Sequence, residues 1–428
     1  MTRKTPLWRL LAVAGAASLV LAACGGDDPE ETPADEGAAE GETDEGTATD
    51  FEGQLHIGTL LPQTGNLAFL GPPEFAGVDL AILDINEAGG VGGNDVTVSH
   101  TDSGDTSTDI ASQSVERLLS EGVAAIIGAA SSSVSFTVID QITQSGVIQI
   151  SPANTSPDFT DYDDDGLYFR TAPSDVLQGR VLGDLVLADG HLDVGIMALQ
   201  DAYGEGLAEN VTIAVEDGGG TIVESIIYDP QAASYTAEVS QMAAAEPEAI
   251  VLIGFDETLT ILPELETQGI GPQEVPVYFV DGNISNWGDD LPEGFLDGNK
   301  GTQPGAEAPG DFQDRLLEVD PELTDFNYAA ESYDAAVLIA LGAIAAQSVE
   351  PRDIADVLVD VSRDPGTKCT TFAECKELLE AGEEIDYDGI SGPITFSDAG
   401  DPTEATIGIY QYGPDNNNSI LEYRFGAI

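Results

Sequence analysis

Apolar runs typical of buried strands alternate with amphipathic helical stretches along most of this chain. The alternation extends from residue 55 to residue 151, starts again near residue 176 and continues to residue 281. Strands separated by helices favour a parallel sheet whose two faces are covered by helices. Residues 54–428 also exceed the length that one hydrophobic core usually serves. The sequence therefore predicts an α/β protein built from two similar halves.

The two series of predicted elements are followed by a less regular C-terminal part. The predicted strands cover 55–61, 96–99, 124–128, 147–151, 194–199, 221–228, 249–254 and 277–281. The predicted helices cover 74–87, a stretch through 117, a stretch ending at 145, 176–187, 206–216, 235–244, 257–268, 312–318, 329–347 and 353–361. A Gly- and Pro-rich segment at 301–310 precedes the last helices, and a β-rich tail over 394–423 closes the chain.

The N-terminus has the features of an export signal. A basic head precedes an apolar run at 10–23, which is shorter than the roughly 20 residues that a membrane-spanning helix needs. The letters LAAC, which end at Cys24 and precede two glycines, resemble the lipobox of bacterial lipoproteins. This resemblance implies a signal peptide over 1–23 and a lipid on Cys24 that anchors the protein to the outer face of the cell membrane. A plain secretory peptide is the alternative, and no later segment is expected to cross a membrane.

Acidic residues dominate the chain. Residues 24–53 contain many of them and no Lys or Arg, so this stretch is expected to be a disordered tether. The whole chain has 13 Lys and Arg against 78 Asp and Glu, a net charge of −65. That charge argues against nucleic acid as a partner and leaves the lipid anchor as the expected contact with the membrane. Adaptation to high salt, which screens the repulsion, and ordinary acidic solubility are the two explanations of the acidity.

Two cysteines remain once Cys24 is assigned to the lipid. Cys369 and Cys375 lie close in sequence, and in an oxidising compartment they are expected to form a disulfide. The histidines lie far from them, so neither a metal site nor a cofactor is expected. The acidic run at 161–166 imitates half of a calcium loop, but Ala172 stands where a bidentate glutamate is needed, which favours a surface loop.

Polar residues directly follow several of the predicted strands. Ligands of open α/β sheets bind beyond the carboxyl ends of the strands, so these residues are candidates for a binding site. A serine cluster after the strand at 124–128 opens a helix, whose free amide groups and hydroxyls favour an anion. The candidates are Ser131, Ser132, Ala153 and Thr155 in the first half and Tyr203 and Asp281 in the second.

The order and spacing of these segments resemble the branched-chain amino acid binding proteins of ABC importers. The resemblance also includes the motifs LPQTG at 61–65, DINEAGG at 84–90 and YDGISG at 387–392. It implies a type I periplasmic binding protein, with two Rossmann-like three-layer lobes joined by a three-strand hinge and a ligand clamped between them. The implied boundaries are 54–173 and 303–391 for lobe 1, and 174–302 and 392–428 for lobe 2, with crossings near Pro173, Thr302 and Gly392.

The same resemblance implies a role for each candidate residue. A zwitterion that leaves water needs donors around its carboxylate and a fixed negative charge beside its ammonium group. The residues expected around the carboxylate are Ser131, Ser132 and Thr155, with free backbone amides near Ala153. Asp281 is expected to accept the ammonium group, and Tyr203 to pack on the ligand. Phe255 stands where the family often has tyrosine, and Leu70 where some members have tryptophan.

The expected function is the capture of a small, branched-chain amino acid by a lipid-anchored monomer that delivers it to the permease of an ABC importer. Two alternatives remain open within the binding class: a receptor for urea or short-chain amides, and a sensory receptor of the same fold. An exported hydrolase is disfavoured, because the sequence has no GxSxG motif and no histidine in the candidate segments.

Overall fold

The computed structural model describes residues 53–306 and 308–428. The predicted signal peptide, the proposed lipid site Cys24 and residues 24–52 of the predicted tether lie outside the described residues. In the first half, strands and helices alternate as the apolar pattern predicts. These elements are β1 (His56–Leu61), α1 (Gly71–Glu87), β2 (Thr97–Asp102), α2 (Ile110–Glu121), β3 (Ala125–Gly128), α3 (Ser132–Thr143), β4 (Ile148–Ser151) and β5 (Tyr168–Arg170).

The second half repeats the alternation. Its strands β6 and β8 are buried along almost their whole length, as expected for central strands covered on both faces. The elements are α4 (Asp175–Ala188), β6 (Asp193–Leu199), α5 (Ala202–Asp217), β7 (Thr221–Tyr228), α6 (Thr236–Ala244), β8 (Ala249–Ile253), α7 (Thr258–Thr267), β9 (Val277–Phe279) and β10 (Lys300–Pro304).

The C-terminal part adds elements to both halves. They are α8 (Phe312–Val319), α9 (Ala329–Ala346), α10 (Pro351–Leu358), β11 (Thr367–Cys369), α11 (Phe372–Glu380), β12 (Ile385–Gly389), β13 (Gly392–Pro393), β14 (Glu404–Tyr412) and β15 (Asn418–Ala427). Helix α8 packs on α1 of the first half, whereas β14 pairs with β10 of the second.

The strands form two large sheets with the same order at their centres. The first sheet is parallel throughout and has the order β2-β1-β3-β4-β5. The second has the order β15-β14-β10-β9-β8-β6-β7, in which β14 runs antiparallel to both of its neighbours. The sequence β7-β6-β8-β9-β10 therefore repeats the doubly wound order of the first sheet. The predicted α/β architecture of two similar halves is confirmed.

The chain passes between the two halves three times. The passages follow β5, β10 and β13, and their described residues are 171–174, 305–306 with 308–311, and 394–403. Helix α4, which follows the first passage, packs against β10 and β14 of the second sheet. The lobe boundaries given by the sequence remain a prediction.

Helix α9 forms the centre of the first half. It is apolar on nearly all sides and packs against α1 and α10. By length and composition alone, this helix could cross a membrane. The sequence was expected to contain no such segment after the signal peptide. In the structure 78% of the helix is buried, as in the core helix of a globular domain.

Several short elements were absent from the sequence prediction. Strands β5, β10, β11 and β12 and helix α11 have at most nine residues each, too few to show a clear period. Strand β10 runs through the start of the Gly- and Pro-rich segment. A disulfide joins Cys369 at the end of β11 to Cys375 in α11, with a Cα–Cα distance of 5.3 Å.

Candidate functional site

The carboxyl ends of strands from both sheets meet around one small cavity. It contains about 270 Å³ of empty space, including the part open to solvent. Of the residues predicted to contact a ligand, all except Thr155 line it. The lining residues are Leu67, Leu70, Ala130, Ser131, Ser132, Ala153, Tyr203, Phe255, Asp281, Gly282 and Tyr328.

Asp281, which follows β9, is the charged group of this cavity. Its Oδ1 accepts hydrogen bonds from Gln178 Nε2 at 2.8 Å and from the Tyr203 hydroxyl at 2.8 Å. Its Oδ2 accepts one from the Tyr328 hydroxyl at 2.7 Å. Burial raises the pKa of the Asp281 carboxyl, while the three donors act in the opposite direction by stabilising its charged form. The carboxylate is therefore held in one orientation at the cavity wall.

Aromatic and aliphatic side chains form the apolar part of the wall. The rings of Tyr203 and Phe255 are stacked, with 5.6 Å between centroids and 7° between planes. Tyr203 also accepts a hydrogen bond from Gly282 N at 3.2 Å, so its hydroxyl is fixed from two sides. Leu67 and Leu70, from the loop and short 3₁₀ helix after β1, line the same cavity. This surface suits an apolar group of modest size.

The first turn of α3 supplies the polar end of the cavity. Ser131 is the N-cap residue, and its side chain accepts a hydrogen bond from Val134 N at 3.3 Å. Ser132 Oγ accepts from Ser156 N at 3.3 Å. The first amide groups of a helix have no intrahelical acceptor, so the start of α3 presents N–H groups beside these hydroxyls. The arrangement can bind a carboxylate.

The loop after β4 differs from the prediction in two respects. The backbone N–H groups of Ala153 and Asn154 are not free, because both donate to Ser151 Oγ, at 3.2 and 2.9 Å. Thr155 is buried but does not line the cavity, and its hydroxyl faces Asp175. The cause is the local backbone, since Asp175 N donates to the Thr155 carbonyl at 2.8 Å and holds the two residues together.

Asp175, Gln178 and Tyr328 belong to the site but were missed by the sequence analysis. Asp175 and Gln178 lie one turn apart at the start of α4, where an aspartate has the appearance of an ordinary helix-start residue. Asp175 is fully buried, and among the described residues neither of its oxygens has a hydrogen-bond partner of normal geometry. Burial, and secondarily the charge of Asp281, raise the pKa of the Asp175 carboxyl well above its ordinary value. Tyr328 follows a loop without periodicity.

Direct contacts join the two halves beside the cavity. The Ser133 hydroxyl, in the first turn of α3, accepts a hydrogen bond from Ala202 N, in the first turn of α5, at 3.0 Å. Asp201, which caps α5 by accepting from Gly204 N at 2.7 Å, has its pKa raised by burial to about 6. Tyr328 reaches from the first half to Asp281 in the second. The structure is therefore a closed arrangement of the two halves.

None of the residues that line the cavity is a histidine, cysteine or lysine. Within the described residues, no cluster of three or more His, Cys, Asp or Glu is placed to hold a metal ion. Fold and cavity together define an α/β protein of two halves with a small cavity between them.

Comparison with known proteins identifies the family. The family model for periplasmic binding proteins matches residues 54–417, and the chain belongs to that family. It is 28% identical over 373 residues to the leucine-, isoleucine-, valine-, threonine- and alanine-binding protein of Pseudomonas aeruginosa, covering 84% of this chain and 90% of that one. It is 26% identical over 358 residues to the chemotactic substrate-binding protein BasB of Halobacterium salinarum, covering 81% and 84%.

Solved structures agree on the fold. The branched-chain amino acid binding protein LivJ of Streptococcus pneumoniae, solved with isoleucine, has a TM-score of 0.70 at 20% identity and covers 88% of this chain and 100% of that one. A solute-binding protein of R. palustris, solved with benzoate, has a TM-score of 0.69 at 18% identity, with coverages of 88% and 98%. The type I periplasmic binding protein fold expected from the sequence is confirmed.

The uncompensated burial of Asp175 predicts a measurable pH dependence of stability. In the unfolded chain the pKa of Asp175 is near the ordinary value of about 3.9, whereas in the folded protein burial raises it. Above that pH the unfolded chain therefore releases a proton that the folded protein retains. The wild type therefore loses stability as the pH rises, whereas Asp175→Asn has no proton to lose. We expect the two proteins to melt alike near pH 4 and the variant to melt higher at pH 8, by roughly 2–4 °C.

Thermal melts across pH 4–8 measure this difference, with Asp184→Asn as the control. Asp184 lies on the exposed side of the same helix. A variant Asp175→Asn that parallels the wild type at every pH would show that Asp175 is ionised and compensated in the folded protein.

Proposed function

We propose that this protein is the extracytoplasmic receptor of an ABC importer and captures a small amino acid, with a branched side chain, between its two lobes. The observation that carries the proposal is that Asp281, from the second half, and the first turn of α3, from the first half, line the same small cavity. A carboxylate from one half and a set of hydroxyl and amide donors from the other match the two charges of a zwitterion.

Asp281 would accept the ligand's ammonium group. It is 4% exposed and keeps lone pairs beyond those used by Gln178, Tyr203 and Tyr328. An ammonium group placed against it would lose water on one side and gain a fully charged partner. The resulting charge-assisted hydrogen bond is stronger than one between neutral groups.

Ser131 and Ser132 would bind the ligand carboxylate together with the first amide groups of α3. The positive end of a helix dipole adds to these hydrogen bonds, because α3 begins at this wall. Ala153 would contact the ligand through its position in the wall, and Thr155 would join the carboxylate only if its hydroxyl turned from Asp175 toward the cavity. Leu67, Leu70 and Phe255 would surround an aliphatic side chain.

Closure of the lobes would follow from the same contacts. The serines belong to the first half and Asp281 to the second, so one ligand touches both only when the halves meet. A ligand with higher affinity for the closed form shifts the population toward it. The permease of the importer would then recognise the closed, loaded monomer.

Other ligands of this fold make different demands on Asp281. A benzoate-like acid lacks the ammonium group and would place an anion in a cavity that already contains a carboxylate. Urea and short amides are neutral and would not need the charge of Asp281. A sensory role, as the name of the Halobacterium salinarum relative describes for that protein, would use the same capture and closure with a different partner.

The charge of Asp281 is therefore the specificity test. Replacing Asp281 with Asn should weaken the binding of leucine, isoleucine or valine by about 2–5 kcal/mol, which is at least a thirtyfold rise in Kd. Calorimetry and thermal shift measure the loss, because a specific ligand raises the melting temperature with its concentration relative to Kd. Wild-type protein should not respond to the matching deaminated acids, to benzoate or to isobutyramide.

Asp217→Asn is the matched control, since Asp217 is exposed at the end of α5 in the same half. Stabilisation of the wild type by urea or isobutyramide, but by no amino acid, would replace the proposal with an amide receptor. Amino acid affinity that is equal in Asp281→Asn and wild type would reject the role of Asp281.

Lipid attachment at Cys24 would keep the receptor at the membrane beside its permease. The evidence for it is the lipobox-like sequence, and lipid plus a cleaved signal would leave Cys24 as the first residue. Protein expressed in a bacterial host should partition into the detergent phase, and its N-terminal peptide should carry acyl chains by mass spectrometry. A mature N-terminus elsewhere, with partition into the aqueous phase, would contradict lipidation.

The acidity would be an adaptation to concentrated salt. Repulsion among 78 acidic residues with only 13 basic ones destabilises a compact chain, and salt screens that repulsion. The melting temperature should rise markedly between dilute buffer and molar potassium chloride. An unchanged melting temperature would leave ordinary acidic solubility as the explanation.

A further inference from the structure

A second, larger cavity lies on the other side of Tyr328 from the amino acid site. It contains about 1,080 Å³ of empty space, including the part open to solvent. Its walls come from the end of β10, the segment before α9, strand β14 and the edge strand β15. Tyr328 lines both cavities, so the two adjoin at this side chain.

Two largely buried polar side chains that make no hydrogen bond to another described side chain line this second cavity. Gln303 and Glu331 line it, and each is only 4% exposed. In the described part of the chain, the Gln303 amide makes no side-chain hydrogen bond, and the Glu331 carboxyl contacts only its own backbone N–H. Neither side chain is among those with fully enclosed, unpaired polar atoms, so the Gln303 amide and the Glu331 carboxyl reach the open space of the cavity, where a solute can replace water.

The charge around Glu331 indicates that the partner is a cation. Glu74 and Asp334 add negative charge near it, and both oxygens of the buried Glu74 also lack a partner among the described residues. No Lys or Arg in the described residues forms an ion pair with Glu74 or Glu331. Burial, with a contribution from Asp334, raises the pKa of Glu331 to about 8. A buried carboxyl in such surroundings is stabilised by protonation or by a bound cation.

Aromatic side chains make an organic cation a better match than a metal ion. Phe312 and Tyr410 also line the cavity, and their ring faces can attract an ammonium group. The negative charges of Glu331 and Asp325 act on Tyr410, which places all three around the same space. The cavity is also much larger than a single ion requires.

We propose that this cavity is a second ligand site, which binds a small alkylammonium ion with Glu331 as counter-ion and Gln303 as hydrogen-bond acceptor. The site combines Gln303 from the second sheet with Glu331 from the core helix of the first half. A ligand that bridges them favours the closed arrangement. Because Tyr328 lines both sites and donates to Asp281, occupation of this cavity should also tighten the amino acid site.

The test is a titration of the mature chain with n-butylammonium chloride in molar potassium chloride, with the ionic strength kept constant. Calorimetry measures the binding, and thermal shift measures the stabilisation. High salt removes the general attraction of a chain with a net charge of −65 for cations. We expect saturable binding, a Kd at least tenfold higher in Glu331→Gln, and no change in Glu318→Gln, whose side chain is exposed on α8. Gln303→Met should also weaken binding, and it replaces the first variant if Glu331→Gln fails to fold.

The Asp281→Asn variant separates the two sites, because butylammonium could also bind to Asp281. Binding that survives Asp281→Asn but not Glu331→Gln supports the second site, whether or not amino acids bind to the first. Binding abolished by Asp281→Asn and retained by Glu331→Gln would overturn the proposal. A thermal shift with butylammonium no greater than that with potassium ions would also overturn the proposal. Water would then be the partner of Gln303 and Glu331.

Discussion

The buried carboxylate of Asp281 is the interaction on which the rest of the site depends. An ionised carboxyl that leaves water is costly unless donors surround it, and here three donors come from three separate places in the chain. Gln178 belongs to α4 and also donates to the carbonyl of Thr302 in β10, at 3.2 Å. Tyr203 opens α5, and Tyr328 comes from the opposite half. The contacts that stabilise the charge therefore also connect it to a passage between the halves and to their closure.

An excess of buried acid distinguishes the interior as well as the surface. Arg170 is fully buried and pairs with Asp401 at 2.5 Å, while its Nη1 donates to the Ser156 carbonyl at 2.7 Å below the cavity. By contrast, neither Asp175 nor Glu331 forms a direct ion pair among the described residues, and Arg170 acts on Asp175 only through its charge. Such groups retain protons or attract cations, and they lie beside the two cavities that adjoin at Tyr328. Both cavities are thus suited to ammonium groups for the same electrostatic reason.

The sequence was sufficient for the architecture and for most of the cavity wall. Central strands such as β8 are continuous apolar runs, and residues directly after them must lie at the ligand edge of a doubly wound sheet. That rule brings Ser131, Tyr203 and Asp281 together, as the structure does. The rule does not predict the position of Tyr328, which follows an irregular loop and has a left-handed backbone with φ of 59°.

Side-chain direction was the other limit of the sequence. Thr155 lies in the expected loop, but its hydroxyl faces Asp175 because a backbone hydrogen bond holds the two residues together. Asp175 itself has the pattern of a helix start, and only tertiary packing reveals that it is buried without a partner. Similarly, the residues of β10 form no apolar run, and pairing with β9 and β14 determines the conformation of this strand.

A crystal structure with bound leucine tests the central claim most directly. The ligand nitrogen should lie within about 3 Å of an Asp281 carboxylate oxygen, and the ligand carboxylate at the same distance from the Ser131 or Ser132 hydroxyl or the first amides of α3. Electron density that shows leucine reversed in the cavity, or outside it with Asp281 still bonded only to Gln178, Tyr203 and Tyr328, would contradict this account.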